Sequence, residues 1–197
     1  MEARLTLRRL LAIAAIAGAV AVTSGCGGGS DAQAAAKQGP PRVEYSNALL
    51  SFSHPAAWKA HPFTWAGSLH FRPLVYLSTQ PLHDPCSTKG NTTSCGFPVD
   101  QLDPGGALVT WNASSPPATG LGPGPRIRVG GRPARRVDTP GGMCRRIGGD
   151  RTIDVLIQTR PFPSTPTEFT ACLRGPGLAQ AEKNVDALLA STKFLSQ

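Results

Sequence analysis

Hydrophobic and polar positions are patterned in two different ways along this chain. Residues 10–22 are apolar or glycine without interruption, thirteen in a row, behind the basic residues Arg4, Arg8 and Arg9. A membrane-spanning helix needs roughly 18 or more such residues, whereas the apolar centre of an export signal has about 7 to 15. The run therefore predicts a signal segment over residues 1–25. The tract that follows, 26–41, is mostly Gly, Ser, Ala and Gln, with only Asp31 and Lys37 charged before Pro40. Such a composition cannot bury a core and predicts a flexible linker.

From residue 42 the pattern becomes short runs with a period of two. Leu50 and Phe52 predict a strand that turns at His54-Pro55. Residues 68–79, SLHFRPLVYLST, predict a long strand at a sheet edge or with a bulge, because Pro73 cannot donate to a ladder. Residues 107–111 predict a compact strand. Residues 126–129 and 134–137 flank Gly130-Gly131-Arg132-Pro133, a hairpin signal that turns Ile127 and Val129 inward and Arg126 and Arg128 outward. Residues 143–147, 152–159 and 169–173 predict three more strands, with Asp150 in a turn between the first two. Residues 81–105 and 114–125 have little periodicity and read as surface loops.

One segment has helical spacing. Beyond Pro176, the residues Leu178, Ala181, Val185, Leu188 and Leu189 form a single apolar stripe, with Glu182, Lys183, Asn184 and Asp186 on the opposite face. Residues 191–195 can then end as a short strand. A C-terminal helix packed on a mostly antiparallel sheet is an α+β layout, here one domain over 42–197.

The chain has five cysteines. With Cys26 set apart at the end of the signal, Cys86, Cys95, Cys144 and Cys172 form an even set, which in an exported chain predicts disulfides. Of the three possible connectivities, Cys86–Cys95 with Cys144–Cys172 is favoured. The first closes a loop rich in Gly, Asn, Thr and Ser, and the second joins two predicted strands. Structural zinc sites usually space cysteines about two to four residues apart, and eight residues separate Cys86 from Cys95. No metal site is read from them.

The net charge is +8, of which residues 1–25 carry +2. The excess is concentrated: eight arginines lie between Arg126 and Arg151, against Asp138 and Asp150. A patch of Arg126, Arg128, Arg132, Arg135 and Arg136 would attract anionic lipid or a cell-wall polymer, with about 1 kcal/mol per basic residue near an anionic surface. The competing reading is a solvated face that keeps the domain soluble. Nucleic acid is not an expected partner, since the aromatic stacking pattern is missing and the compartment argues against it.

Catalytic signatures are absent: there is no G-x-S-x-G, H-E-x-x-H, Walker loop or C-x-x-C. His54, His61, His70 and His83 are isolated in sequence, and only His83 has an adjacent carboxylate, Asp84. The expectation is a non-catalytic protein without cofactor. The alternative is an envelope hydrolase whose cleft joins His54, His70 or His83 to a carboxylate.

Two resemblances add to this reading. The tetrad Thr23-Ser24-Gly25-Cys26 resembles the lipobox of bacterial lipoproteins. That implies acylation of Cys26 on sulfur, a mature N-terminus at Cys26, and attachment to the outer face of the cell membrane. Two or more acyl chains hold a protein there stably. Phe52, Pro55 and Trp58, spaced aromatic-x-x-Pro-x-x-Trp, resemble the start of PsbP-like domains and of small Gram-positive lipoproteins with the same α/β sandwich. The Gly130-Gly131-Arg132-Pro133-Ala134 hairpin and the final helix followed by Ser191-x-x-Phe194 are similar too. Together they imply a disulfide-braced, PsbP-like cell-envelope lipoprotein, a binding or accessory module anchored through Cys26.

Overall fold

The period-two runs become strands because they offer one apolar face to a shared interior. A computed structural model describes residues 39–62, 71–114, 118–161 and 164–195. The expected signal, Cys26, nearly all of the linker and His70 lie outside the described residues. The elements are β1 (Arg42–Ser46), β2 (Leu50–Pro55), β3 (Lys59–Pro62), β4 (Phe71–Ser78), β5 (Cys86–Lys89), β6 (Thr92–Cys95), β7 (Ala107–Ser114), β8 (Arg126–Val129), β9 (Arg132–Pro140), β10 (Arg151–Ile157), β11 (Thr167–Leu173), α1 (Leu178–Ser191) and β12 (Lys193–Phe194).

Seven strands form one antiparallel sheet in the order β3-β4-β7-β11-β10-β9-β8, and β1-β2-β12 form a second, smaller one. The helix α1 and the small sheet cover one face of the large sheet. Val75, Leu77, Val109, Trp111, Ile153, Val155, Phe169 and Ala171 point into the layer between them and meet Leu50, Phe52, Val185, Leu188 and Leu189 from the other side. Trp111 is the centre of this core, with its ring centroid 5.8 Å from that of Phe52 and 4.9 Å from that of Phe169. Such aromatic pairs add about 0.5–1.5 kcal/mol each beyond the area they bury. The mostly antiparallel sheet packed by a C-terminal helix is thus the α+β layout read from the sequence.

Both disulfides are present, Cys86–Cys95 and Cys144–Cys172. The first crosses the two-stranded hairpin β5-β6, whose residues Cys86 and Cys95 are direct partners. The second ties β11 to a 3₁₀ helix over Gly142–Ile147.

Several expectations are corrected. Residues 143–147 are that 3₁₀ helix and not a strand. Gly141 and Gly142 both have positive φ, 64° and 54°, which turns the chain out of the ladder. The Cys144 N–H then donates to the Thr152 hydroxyl at 3.2 Å instead of to a neighbouring strand. Residues 81–105 are not a featureless loop. The strands β5 and β6 are mostly exposed on both faces, so they carry no hydrophobic period, while Val99 and Leu102 are buried. The turn expected at His54-Pro55 falls after Pro55, where the Trp58 N–H donates to the Pro55 carbonyl at 2.9 Å. Pro73 does carry the irregularity expected of it, a register shift between Pro73 and Val75 in the β4-β7 ladder.

Candidate functional site

Strand alternation gives the large sheet a second face, and its side chains form rows across the strands. One row runs Pro73, Asn112, Glu168, Leu156, Arg135, Arg126. The next runs Tyr76, Thr110, Thr170, Asp154, Val137, and a third Ser78, Leu108, Cys172, Thr152, Thr139. Over the third row lie the 3₁₀ helix and residues 97–102, which form a small second core of Val99, Leu102, Leu108, Cys144, Ile147 and Cys172. The first two rows remain open as the floor of a cleft of about 450 Å³. Its walls are the Cys86–Cys95 disulfide, Phe97, Met143 and Arg146. Both disulfides therefore serve the cleft. Cys86–Cys95 forms part of a wall, and Cys144–Cys172 pins the 3₁₀ helix that presents Met143 and Arg146.

The floor is polar where a sheet interior would be apolar. Asn112 is 1% exposed, and its Oδ1 has no hydrogen-bond partner. A buried polar atom left unpaired costs about 1–3 kcal/mol, so native proteins rarely keep one without a reason. Pro73, the cross-strand neighbour of Asn112, has no N–H to offer. The Thr170 hydroxyl donates to Asp154 Oδ1 at 2.9 Å. Burial pushes the Asp154 carboxyl above its ordinary pKa; the Thr170 hydrogen bond opposes this, and the charge of nearby Glu168 adds to it. Burial likewise raises the Tyr76 phenol to about 12, so it stays protonated. At the other end of the first row, Arg135 donates from Nη1 to the Pro123 carbonyl at 3.3 Å, while its buried Nε has no partner.

The structure divides the arginine group between surroundings. Arg126 and Arg128 project from the edge strand β8, where they donate to the carbonyls of Gly122 and Gly131 at 2.7 and 2.8 Å. Arg132 is exposed at the hairpin tip. Arg135 faces the cleft, and Arg136 faces the opposite side of the sheet. There it bridges Asp138 at 2.7 Å and Asp186 of α1 at 2.5 Å. Those carboxylates hold the guanidinium pKa above its ordinary value, chiefly through the hydrogen bond to Asp138. Arg151 is paired with Glu182 at 3.2 Å. Arg126, Arg128 and Arg132 thus remain together as an exposed cationic hairpin, and Arg136 braces sheet to helix.

Among the described residues, the histidines do not converge on the cleft. His54 is buried beside Phe52, with Nδ1 3.0 Å from the Pro55 carbonyl, and burial lowers its pKa. His61 and His83 share a shallower depression of about 180 Å³ with Asp84. The residues lining it include no serine, threonine or cysteine. Asn112, Asp154, Glu168 and Thr170 carry no sequence motif. Their one signal was polar residues recurring every second position between Val109, Trp111, Phe169, Ala171 and Val155. No known protein family, curated protein or solved structure matches the chain.

Proposed function

We propose that the chain is an exported lipoprotein, held at the outer face of the cell membrane through acylated Cys26, and that its domain is a non-catalytic binding module. The observation that carries the binding role is the cleft, a walled space of about 450 Å³ with a buried carboxamide on its floor whose Oδ1 has no hydrogen-bond partner. Small-molecule sites have this form: about 300–1,000 Å³, largely apolar walls and a few fixed polar groups. Two disulfides suit an oxidising compartment outside the cytoplasm. The fold is read as PsbP-like. Supporting this, Phe52 and Trp58 of the opening motif are both buried in the main core, and α1 leads into β12.

The exposed arginines of the β8-β9 hairpin are the part of the domain suited to an anionic lipid or wall polymer. Changing Arg126, Arg128 and Arg132 to Gln should remove salt-sensitive binding to anionic vesicles, and unchanged binding would sink that role. For the anchor, intact mass of the processed wild type should show a diacylglyceryl addition at Cys26 that Cys26→Ala lacks. An unmodified wild-type N-terminus would overturn it. For the cleft, Met143 is the only methionine besides Met1, so its labelled methyl group gives an assignable NMR reporter at the cleft wall. Small aromatic probes such as indole should shift it.

A further inference from the structure

This inference rests on reading the cleft as a binding site and concerns what it takes. The first row of the floor is ordered by charge. Acceptors stand at one end, with the unpartnered Asn112 Oδ1 and the Glu168 carboxylate as direct cross-strand neighbours. Leu156 is next, and Arg135 follows with its unpartnered Nε, backed by Arg126 on the adjoining strand. Among the described residues Glu168 has no ion-pair partner. Strands lie about 4.8 Å apart, so Glu168 and Arg135, two strands apart, are separated by about 10 Å at the backbone. The lining balances two carboxylates, Asp154 and Glu168, against two guanidiniums, Arg135 and Arg146. A ligand that is itself net neutral but charged at both ends fits that balance.

We propose that the cleft binds a short zwitterionic peptide of about three residues, its ammonium on Asn112 and Glu168 and its carboxylate against Arg135, with an apolar side chain between them. An extended peptide spans about 3.3–3.6 Å per residue, so three residues cover about 10 Å. The middle side chain lies over Leu156, between Phe97 and Met143 of the walls. Arginine suits the carboxylate end because its planar fork takes both oxygens. A carboxamide suits the other end because it offers an acceptor to an ammonium and donors to a peptide carbonyl.

The test uses the full chain with methyl-labelled methionine and three probes: Ala-Leu-Ala, its N-acetyl form and its C-terminal amide. The free tripeptide should shift the Met143 methyl resonance, and acetylation and amidation should each weaken binding at least tenfold. Arg135→Gln should weaken the free peptide at least tenfold but leave the amide unchanged, which a merely structural role for Arg135 would not produce. Equal binding of the three probes would overturn the proposal. If indole shifts Met143 and the tripeptide does not, the peptide assignment falls while the binding role stands. If neither probe shifts it, both fall.

Discussion

Replacing Asn112 by valine separates what this residue does for the fold from what it does for the cleft. The carboxamide is 1% exposed and its Oδ1 is unpartnered, so the folded protein bears a desolvation cost of about 1–3 kcal/mol that the unfolded chain, hydrated at this position, does not. Valine removes that cost, suits a central strand through its β-branch, and adds buried apolar surface beside its cross-strand neighbour Pro73. Because the side chain borders open cleft volume, no overpacking opposes the gain. The net expectation is a domain more stable by about 2 kcal/mol. For a domain of about 150 residues each kcal/mol moves Tm by roughly 2–4 °C, so the midpoint should rise by roughly 4–8 °C. Urea titration at 25 °C, followed by tryptophan fluorescence, reads the change directly, and an unchanged slope with a higher midpoint shows that the gain is in stability. A variant less stable than wild type by 1 kcal/mol or more would refute the reasoning. It would mean that the carboxamide is satisfied in the folded state and is part of the architecture. Gain of stability with loss of ligand is the signature of a functional polar group in a core-like position.

Three further outcomes follow from the structure. His54 has a lowered pKa, so on acidification the unfolded chain takes up a proton that the folded one refuses. Its contribution to stability is full above about pH 6.5 and is lost as pH falls through the depressed folded value, so a pH series of urea midpoints should slope downward below about 6.5 in wild type and flatten there in His54→Phe. Changing Cys144 and Cys172 together to alanine opens a loop of 28 residues. Chain entropy puts that at about 3.5 kcal/mol, and a loss under 1 kcal/mol by urea titration would remove the brace assigned to this pair. Gly130 has φ 55°, and a Cβ there would stand 2.8 Å from Phe194, whereas Gly131 at φ 74° faces open space. Gly130→Ala should therefore cost about 1–3 kcal/mol and Gly131→Ala distinctly less; equal losses would show that backbone strain alone decides.

How much was readable in advance depended on whether an element carried a hydrophobic period. β7, β10, β11 and α1 each hold one apolar face against the main core, and their alternation or 3–4 spacing is visible in the letters. β5 and β6 bury almost nothing, so a disulfide and a ladder hold them together without leaving a pattern. The 3₁₀ helix is not legible because Cys144 and Ile147, flanked by glycines, have the pattern of a short strand, and only the positive φ of Gly141 and Gly142 takes them out of the ladder. The cleft was hidden for a different reason. Thr110, Asn112, Asp154, Glu168 and Thr170 look like the ordinary polar side of an antiparallel sheet with one face in water. Only residues 79–106 and the 3₁₀ helix, folding back over the neighbouring row, turn that face into a walled site. The Arg136–Asp186 bridge, joining residues 50 positions apart, was equally out of reach of local spacing.

The small sheet sets the order in which this domain can be completed. Strand β2 lies between β1, made just before it, and β12, nearly the last segment of the chain. The Ser53 N–H finds its partner, the Ser191 hydroxyl, 138 residues later. Closing so long a loop costs about 4 kcal/mol of chain entropy before any contact compensates it. Synthesis runs from the N-terminus, so Leu50 and Phe52 wait beside an open strand edge until α1 and β12 exist. Residues 178–194 thus act as a time lock on the edge of β2.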